Sequence, residues 1–133
     1  MNINHINLPV PDVAAAAAFF TEYFGLHLLE GKGRPGFISI LEDDAGFVLV
    51  LSNFPQASEF SYPGDFQIGF YQKTAEEVDV LYSRFLAAGY EMETAPRVIW
   101  DTWRFYFRVF NTLRIEVASP LKEDAVGAAA VRG

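Results

Sequence analysis

The feature that most constrains the fold of this 133-residue chain is an internal repeat. A strand-like segment at Asn4–Leu8 is followed by a helix-like run that ends at Gly25, and a second strand-like segment at Phe66–Phe70 is followed by a run that ends at Gly89. Because a repeat of this length implies a duplicated supersecondary unit, it limits the fold more than any single residue does.

The strands that close the two copies also match. They lie at Phe47–Ser52 and Leu113–Ala118, and 66 positions separate Val50 from Glu116. The opening strands match at an offset of 62 positions, from His5 to Gln67, so the even difference keeps the strand alternation in phase. We therefore predict an α+β fold of tandem βαβββ modules, whose curved mixed sheets form a half-open, barrel-like cavity.

We expect a single domain over residues 1–120, with the first module at residues 1–53 and the second at residues 65–120. The connection between the modules is polar and contains prolines, which is typical of a loop. The small and polar residues 121–133 are predicted to be a flexible C-terminal tail.

The first helix of each module is predicted to begin after Asp12 or Thr74, because both residue types are good N-caps. Further strands are predicted at Leu26–Glu30, Gly36–Leu41, Tyr90–Glu93 and Arg97–Phe110, the last one broken by a turn near Asp101. The predicted core consists of apolar residues on one side of these strands and helices: Ile6, Leu8, Phe20, Phe24, Leu49, Ile68, Phe70, Leu81, Phe85 and Ile115.

The charge of the chain limits its partners. A formal net charge of −7 argues against nucleic-acid binding and is compatible with a cationic ligand. The sequence contains no cysteine, which excludes disulfides and thiolate chemistry, and it shows neither a signal peptide nor a membrane span. We expect a cytoplasmic protein whose partner is a small molecule rather than nucleic acid or a membrane.

Two stretches carry a resemblance to a known family. The segment HINLPVPDV at His5–Val13 and the segment FFTEYFGL at Phe19–Leu26 resemble the opening strand and helix of the vicinal oxygen chelate superfamily. That superfamily includes glyoxalase I, extradiol dioxygenases, fosfomycin-resistance proteins and bleomycin-resistance proteins. The resemblance covers residues 2–120 and implies the tandem βαβββ fold and a homodimer. It does not choose an activity, because the fold hosts many chemistries.

In the metal-dependent members, the ligands come from the first and last strands of each module. The matching residues here are His5, Val50, Gln67 and Glu116. Valine cannot bind a metal, so the resemblance implies a divalent ion (Zn, Ni, Mn or Fe) held by His5, Gln67 and Glu116, with His5 and Glu116 as the catalytic residues. The neutral amide of Gln67 binds a cation weakly, so a site without metal is the alternative.

A substrate pocket is predicted around these residues, lined by Asn7, Val50, Arg104, Tyr106 and Arg114. Glu116 lies in an apolar strand and needs a partner, because a buried unpaired charge is costly. A metal ion is one such partner. Arg114 is the other, since it lies about 6.6 Å away on the same side of the strand.

Strand alternation divides the aromatic segment near residue 105 into two sides. Trp103, Phe105 and Phe107 share one side, and we expect that side to be core. Tyr106 lies on the other side with two arginines, Arg104 and Arg108, which is therefore the polar side.

Two functions remain open from the sequence. The first is an enzyme that chelates neighbouring oxygens of a small substrate on a Lewis-acidic metal, as a lyase or isomerase, a transferase or a dioxygenase. The alternative is a metal-free protein that binds and sequesters a small molecule, as bleomycin-resistance proteins do.

Overall fold

The computed structural model describes residues 1–121. Within it the chain divides into two compact units, one over Met1–Ser61 and the other beginning at Tyr62. The predicted tail therefore lies outside the described residues, apart from its first residue, Leu121.

The first unit contains one helix and a four-stranded mixed sheet. Its elements are β1 (His5–Pro9), α1 (Val13–Phe24), β2 (His27–Leu28), β3 (Ile38–Glu42) and β4 (Val48–Ser52). The strand order is β1-β4-β3-β2, with β1 parallel to β4 and the other neighbours antiparallel.

Helix α1 begins and ends where the sequence predicts. The Asp12 side chain accepts a hydrogen bond from the Ala15 amide at 3.0 Å, which satisfies one of the free N–H groups of the first turn. Gly25 ends the helix with φ 67°, a left-handed conformation that suits glycine because it has no Cβ.

The second unit repeats this architecture. Its elements are β5 (Gln67–Tyr71), α2 (Ala75–Ala87), β6 (Arg97–Ile99), β7 (Thr102–Val109) and β8 (Leu113–Pro120). The strand order is β5-β8-β7-β6, with β5 parallel to β8 and the other neighbours antiparallel. The prediction of two βαβββ modules with mixed sheets is confirmed, and neither sheet closes into a barrel.

Two side-chain hydrogen bonds cap the N-terminus of helix α2. Thr74 Oγ1 accepts a hydrogen bond from the Glu77 amide at 3.2 Å, and the Glu77 carboxylate accepts one from the Lys73 amide at 3.1 Å. This is a capping box shifted by one residue, since the glutamate reaches the amide before the cap.

The predicted strand at Tyr90–Glu93 is wrong. Only Met92 forms a bridge, to Phe107, and the Glu93 and Thr94 amides both donate to the Tyr106 carbonyl. The reason is a break in the register along this edge of β7, because the Glu93 and Thr94 amides share one carbonyl, and regular pairing resumes only at β6. The strand predicted at Leu26–Glu30 is likewise reduced to β2.

The core lies between each helix and its sheet. Six of the ten predicted core residues are buried, namely Leu8, Phe20, Leu49, Leu81, Phe85 and Ile115. The other four, Ile6, Phe24, Ile68 and Phe70, are half-buried. Three of these four lie on β1 and β5, which are edge strands, and Phe24 is the last residue of α1.

Neither of the helices in residues 1–121 has the length and apolar character needed to cross a membrane.

Candidate functional site

The two sides of the second sheet differ as the alternation predicts. Phe105 and Phe107 are fully buried against α2, and the Trp103 indole donates to the Asp79 carboxylate on that helix at 2.8 Å. The opposite side, called the open face below, carries Arg104, Tyr106 and Arg108 of β7 together with residues of β5, β6 and β8.

Glu116 is at the centre of the open face of the second unit. Its Oε1 accepts a hydrogen bond from Arg104 Nη1 at 2.6 Å and another from the Tyr106 hydroxyl at 2.8 Å. Both charged side chains are mostly shielded, with 16% of Arg104 and 18% of Glu116 exposed. Among the residues described, the ion-pair partner of Glu116 is therefore Arg104. Arg114, which the sequence offered as one possible partner, does not have this role.

The register of β7 and β8 explains this pairing. Tyr106 lies directly opposite Glu116, and Arg104 is its diagonal neighbour, which is within reach of a long side chain. Desolvation disfavours the Arg104 charge, but the hydrogen bond to Tyr106 and the negative charge of Glu116 outweigh it, so the pKa of Arg104 is raised above its ordinary value. Arg104 is therefore a permanent cation.

Arg114 belongs to a second cluster on the same face. It makes two hydrogen bonds to the Glu93 carboxylate, at 3.0 and 3.1 Å, and a third to Gln67 Oε1 at 3.2 Å. Its guanidinium also lies 3.8 Å from the centre of the Tyr106 ring, which is a cation–π distance. Arg114 therefore links Gln67 and Glu93 to the Tyr106–Glu116 cluster.

Gly69 provides the space that the Glu116 carboxylate occupies. The two residues are paired across β5 and β8, and a Cβ built on Gly69 would lie 3.1 Å from Glu116 Oε2. Because glycine has no side chain, this oxygen stays open toward the face.

Two pairs of arginines lie directly opposite each other on this face. Arg97 pairs with Arg104 across β6 and β7, and Arg108 pairs with Arg114 across β7 and β8. In each pair one member has a glutamate partner, whereas residues 1–121 offer no acidic partner to Arg97 or Arg108. The Arg108 guanidinium instead donates to two backbone carbonyls. The open face thus carries four arginines against the two glutamates Glu93 and Glu116.

The open face of the first unit is different. Asn7, Val50 and Ile40 share its middle row, and Asn7 accepts a hydrogen bond from the Ser52 hydroxyl at 2.7 Å. Half-exposed aliphatic side chains occupy most of the centre. His5 is exposed at the edge, and its Nδ1 lies 2.7 Å from Asn4 Oδ1.

The first unit also contains an open cavity of about 350 Å³ beside β3. Most of its lining is apolar and includes Leu28, Pro35, Ile38 and Ile40. This volume is at the lower end of the range for small-molecule sites.

The metal set implied by the resemblance can be tested on its donor atoms in the second unit. Gln67 Oε1 is bonded to Arg114, and Glu116 Oε1 is bonded to Arg104. A divalent ion on these oxygens would lie beside two guanidinium cations, which repel it. The two side chains do not fit a divalent cation in this arrangement, and residues 1–121 contain no group of three or more His, Cys, Asp or Glu that could hold one.

The second unit therefore brings together five predicted site residues: Gln67, Arg104, Tyr106, Arg114 and Glu116. The other three, His5, Asn7 and Val50, lie on the open face of the first unit.

Sequence reasoning missed Arg97, Glu93 and Gly69. The pairing of Arg108 with Arg114 could have been predicted from the sequence, because the short turn after Val109 fixes the hairpin register. The pairing of Arg97 with Arg104 had a similar signal in the tight turn between β6 and β7.

The family follows from the comparison with known proteins. The model of the Glyoxalase/Bleomycin resistance protein/Dioxygenase superfamily matches residues 2–118. The chain belongs to this superfamily. The resemblance seen in the sequence is thus confirmed. No curated protein matches the chain.

Solved structures agree with this membership. A "possible Glyoxalase" from Bacillus cereus is 34% identical with a TM-score of 0.76, and the match covers 88% of this chain and 97% of that one. A lactoylglutathione lyase from Agrobacterium tumefaciens is 24% identical with a TM-score of 0.70, covering 89% and 92%. The fosfomycin resistance protein FosX from Listeria monocytogenes is 24% identical with a TM-score of 0.68, covering 93% and 97%. The last two show the fold alone.

Proposed function

We propose that this superfamily member binds a small anionic molecule, such as a carboxylate or phosphate compound, on the open face of its second unit without a metal ion. The observation that carries the proposal is the two cross-strand arginine pairs, Arg97 with Arg104 and Arg108 with Arg114. This is the metal-free binding function that the sequence left open, with an anionic ligand in place of the cationic one that the net charge of −7 suggested.

The positive charge of the open face is incompletely neutralised. Like charges directly opposite each other destabilise a sheet, so a pair of facing arginines needs a compensating anion. Glu116 and Glu93 neutralise Arg104 and Arg114, and the positive charge of Arg97 and Arg108 remains. A guanidinium group binds carboxylates and phosphates through two parallel hydrogen bonds, which makes these anions the expected ligands.

The other residues of the face would orient the ligand. Tyr106 is buried beneath the Arg114 guanidinium, so its ring fixes where that cation points. Oε2 of Glu116 is available to accept a hydrogen bond from a ligand hydroxyl or amide. Arg108 and Arg97, at opposite ends of the face, would hold the charged groups.

Isothermal titration calorimetry of metal-stripped protein with oxalate tests the proposal. Oxalate is expected to bind, and Arg108→Gln should weaken binding by about tenfold, the value of one charge-assisted hydrogen bond. Arg84→Gln is the matched control, because it removes the same charge from α2, which packs against the other side of the sheet. Equal affinity of both variants, or no binding of oxalate or inorganic phosphate to the wild type, would refute the proposal.

The metal-dependent enzyme with His5, Gln67 and Glu116 as ligands stays a prediction. It requires Arg104 and Arg114 to release the Glu116 and Gln67 oxygens that they now bind. A metal titration separates it from the metal-free function.

We also propose a homodimer, on the basis of the family resemblance alone. Light scattering at micromolar concentration should give twice the 14.9 kDa mass of the chain. A strict monomer would contradict this expectation.

A further inference from the structure

Three hydrogen bonds hold the Arg104 guanidinium group in place. Its Nε donates to Thr102 Oγ1 at 2.6 Å, and its Nη1 donates to the Tyr106 hydroxyl at 3.0 Å and to Glu116 Oε1 at 2.6 Å. Thr102 is fixed in turn, because its hydroxyl donates to the Ile99 carbonyl at 3.0 Å. These hydrogen bonds therefore fix the guanidinium group next to the Glu116 carboxylate.

We infer that Arg104 is the resident cation of this site, which neutralises the Glu116 carboxylate in place of a divalent ion and makes the open face of the second unit independent of metal. This inference rests on the proposed function in one respect, namely that the ligand is an anion. Arg104 is a positioning residue for Glu116, and the ligand meets guanidinium groups where a metal-dependent site would present an ion.

The donor atoms support this substitution. Glu116 Oε1 already accepts two hydrogen bonds, from Arg104 and Tyr106, which occupy the lone pairs of that oxygen. Gln67 Oε1, the other candidate ligand atom of this unit, accepts from Arg114. One oxygen of Glu116 and the side-chain oxygen of Gln67 are thus each already hydrogen-bonded to an arginine.

Electrostatics supports it as well. A divalent ion bonded to Glu116 would lie only a few ångströms from the Arg104 charge. The repulsion would weaken its binding on the order of a hundredfold or more, even with the screening found near a protein surface.

Equilibrium dialysis of the metal-stripped full chain against Ni²⁺, Zn²⁺ and Mn²⁺ tests the inference without any ligand. The wild type is expected to bind none of the three at this site more tightly than millimolar. Arg104→Met should raise Ni²⁺ affinity by about a hundredfold, because the charge that repels the ion is gone. Arg104→Lys keeps the charge and should show no gain, and neither should Arg84→Met on α2.

The inference would be overturned if the wild type bound one of these ions at micromolar affinity and Glu116→Gln abolished that binding. This outcome does not depend on whether an Arg104 variant folds. An Arg104→Met protein with a wild-type melting curve and no gain in Ni²⁺ affinity would also overturn it.

The oxalate titration separates this inference from the proposed function. Oxalate binding to the metal-stripped wild type, together with micromolar metal binding that is lost in Glu116→Gln, would overturn the role of Arg104 and leave the anion site standing. Absence of oxalate and phosphate binding, together with the expected metal results, would refute the proposed function and leave the role of Arg104 standing.

Discussion

The middle rows of the two open faces are equivalent in the repeat and opposite in chemistry. In the first unit the row is Asn7, Val50 and Ile40, and in the second it is Gly69, Glu116 and Tyr106. The strand pairing is the same in both. The duplication has thus preserved the backbone framework, while the open face of one copy became aliphatic and that of the other became a charged hydrogen-bond network.

The neighbouring row shows the same divergence. Val48 and Glu42 in the first unit stand where the second unit has Arg114 and Arg108. On the helix side the units stay alike, since Phe20 on α1 and Phe85 on α2 are both fully buried. The two units therefore pack their helices alike, and the arginines are concentrated on the open face of the second unit.

The largest expected effect tests the similarity of the two cores. Phe20→Ala and Phe85→Ala should each lower the free energy of unfolding by about 3–5 kcal/mol, because both leave a large cavity. Leu86→Ala is the control, as Leu86 is 55% exposed on α2 and should cost far less. Urea denaturation measures all three. A cost for one phenylalanine no greater than that of Leu86 would break the comparison.

The second effect tests the difference between the open faces. Glu116→Ala should cost about 2–3 kcal/mol, because it leaves the shielded Arg104 charge without its partner. Val50→Ala, at the equivalent position, should cost about 1 kcal/mol for the lost apolar contact. Chemical denaturation of the two variants gives the order directly. If Val50→Ala were the more damaging change, the charged network would not stabilise the second unit.

A smaller effect concerns the space beside Glu116. Gly69→Ala places a Cβ 3.1 Å from Glu116 Oε2, so the carboxylate must shift, at a cost of about 1 kcal/mol. Gly64→Ala is the matched control in the same unit, because a Cβ there would meet no atom within 4 Å. Thermal denaturation should give a lower melting temperature for Gly69→Ala than for Gly64→Ala. Equal melting temperatures would contradict the prediction.

The smallest effect depends on pH. Burial raises the pKa of Tyr62, near the start of the second unit, above the ordinary value of 10.0. The unfolded chain therefore loses this proton first, so the stabilising contribution of Tyr62 is complete below pH 10.0 and is lost as the pH rises through the raised value. Denaturation at a series of pH values in this range should show that the free energy of unfolding falls less steeply with pH in Tyr62→Phe than in the wild type. Identical slopes for the two proteins would contradict the prediction.

The fold was predictable from the sequence because the repeat constrains it at many points. The offsets correctly matched Val50 with Glu116, and the caps Asp12 and Thr74 correctly placed both helices. The segment at Tyr90–Glu93 was not predictable in the same way, because its pairing with β7 is broken by a register shift between Met92 and β6 that leaves no trace in the sequence pattern.

The site was predictable in its residues and not in its contacts. Alternation placed Arg104 and Tyr106 on the polar side. It did not reveal Arg104 as the partner of Glu116, since that contact depends on the register of β7 against β8 and on the Glu93 carboxylate that binds Arg114. The family resemblance pointed to a metal because it supplied ligand positions without the neighbouring arginines.

The central claim is that the second unit alone carries the anion site and needs no metal. Amide chemical-shift mapping by NMR tests it most directly, with oxalate titrated into metal-stripped, isotope-labelled protein. The account predicts shifts concentrated on β7 and β8, around Arg104, Arg108 and Glu116, and little change on β3 and β4. Shifts concentrated on β3 and β4, or shifts that appear only after a divalent metal is added, would contradict it.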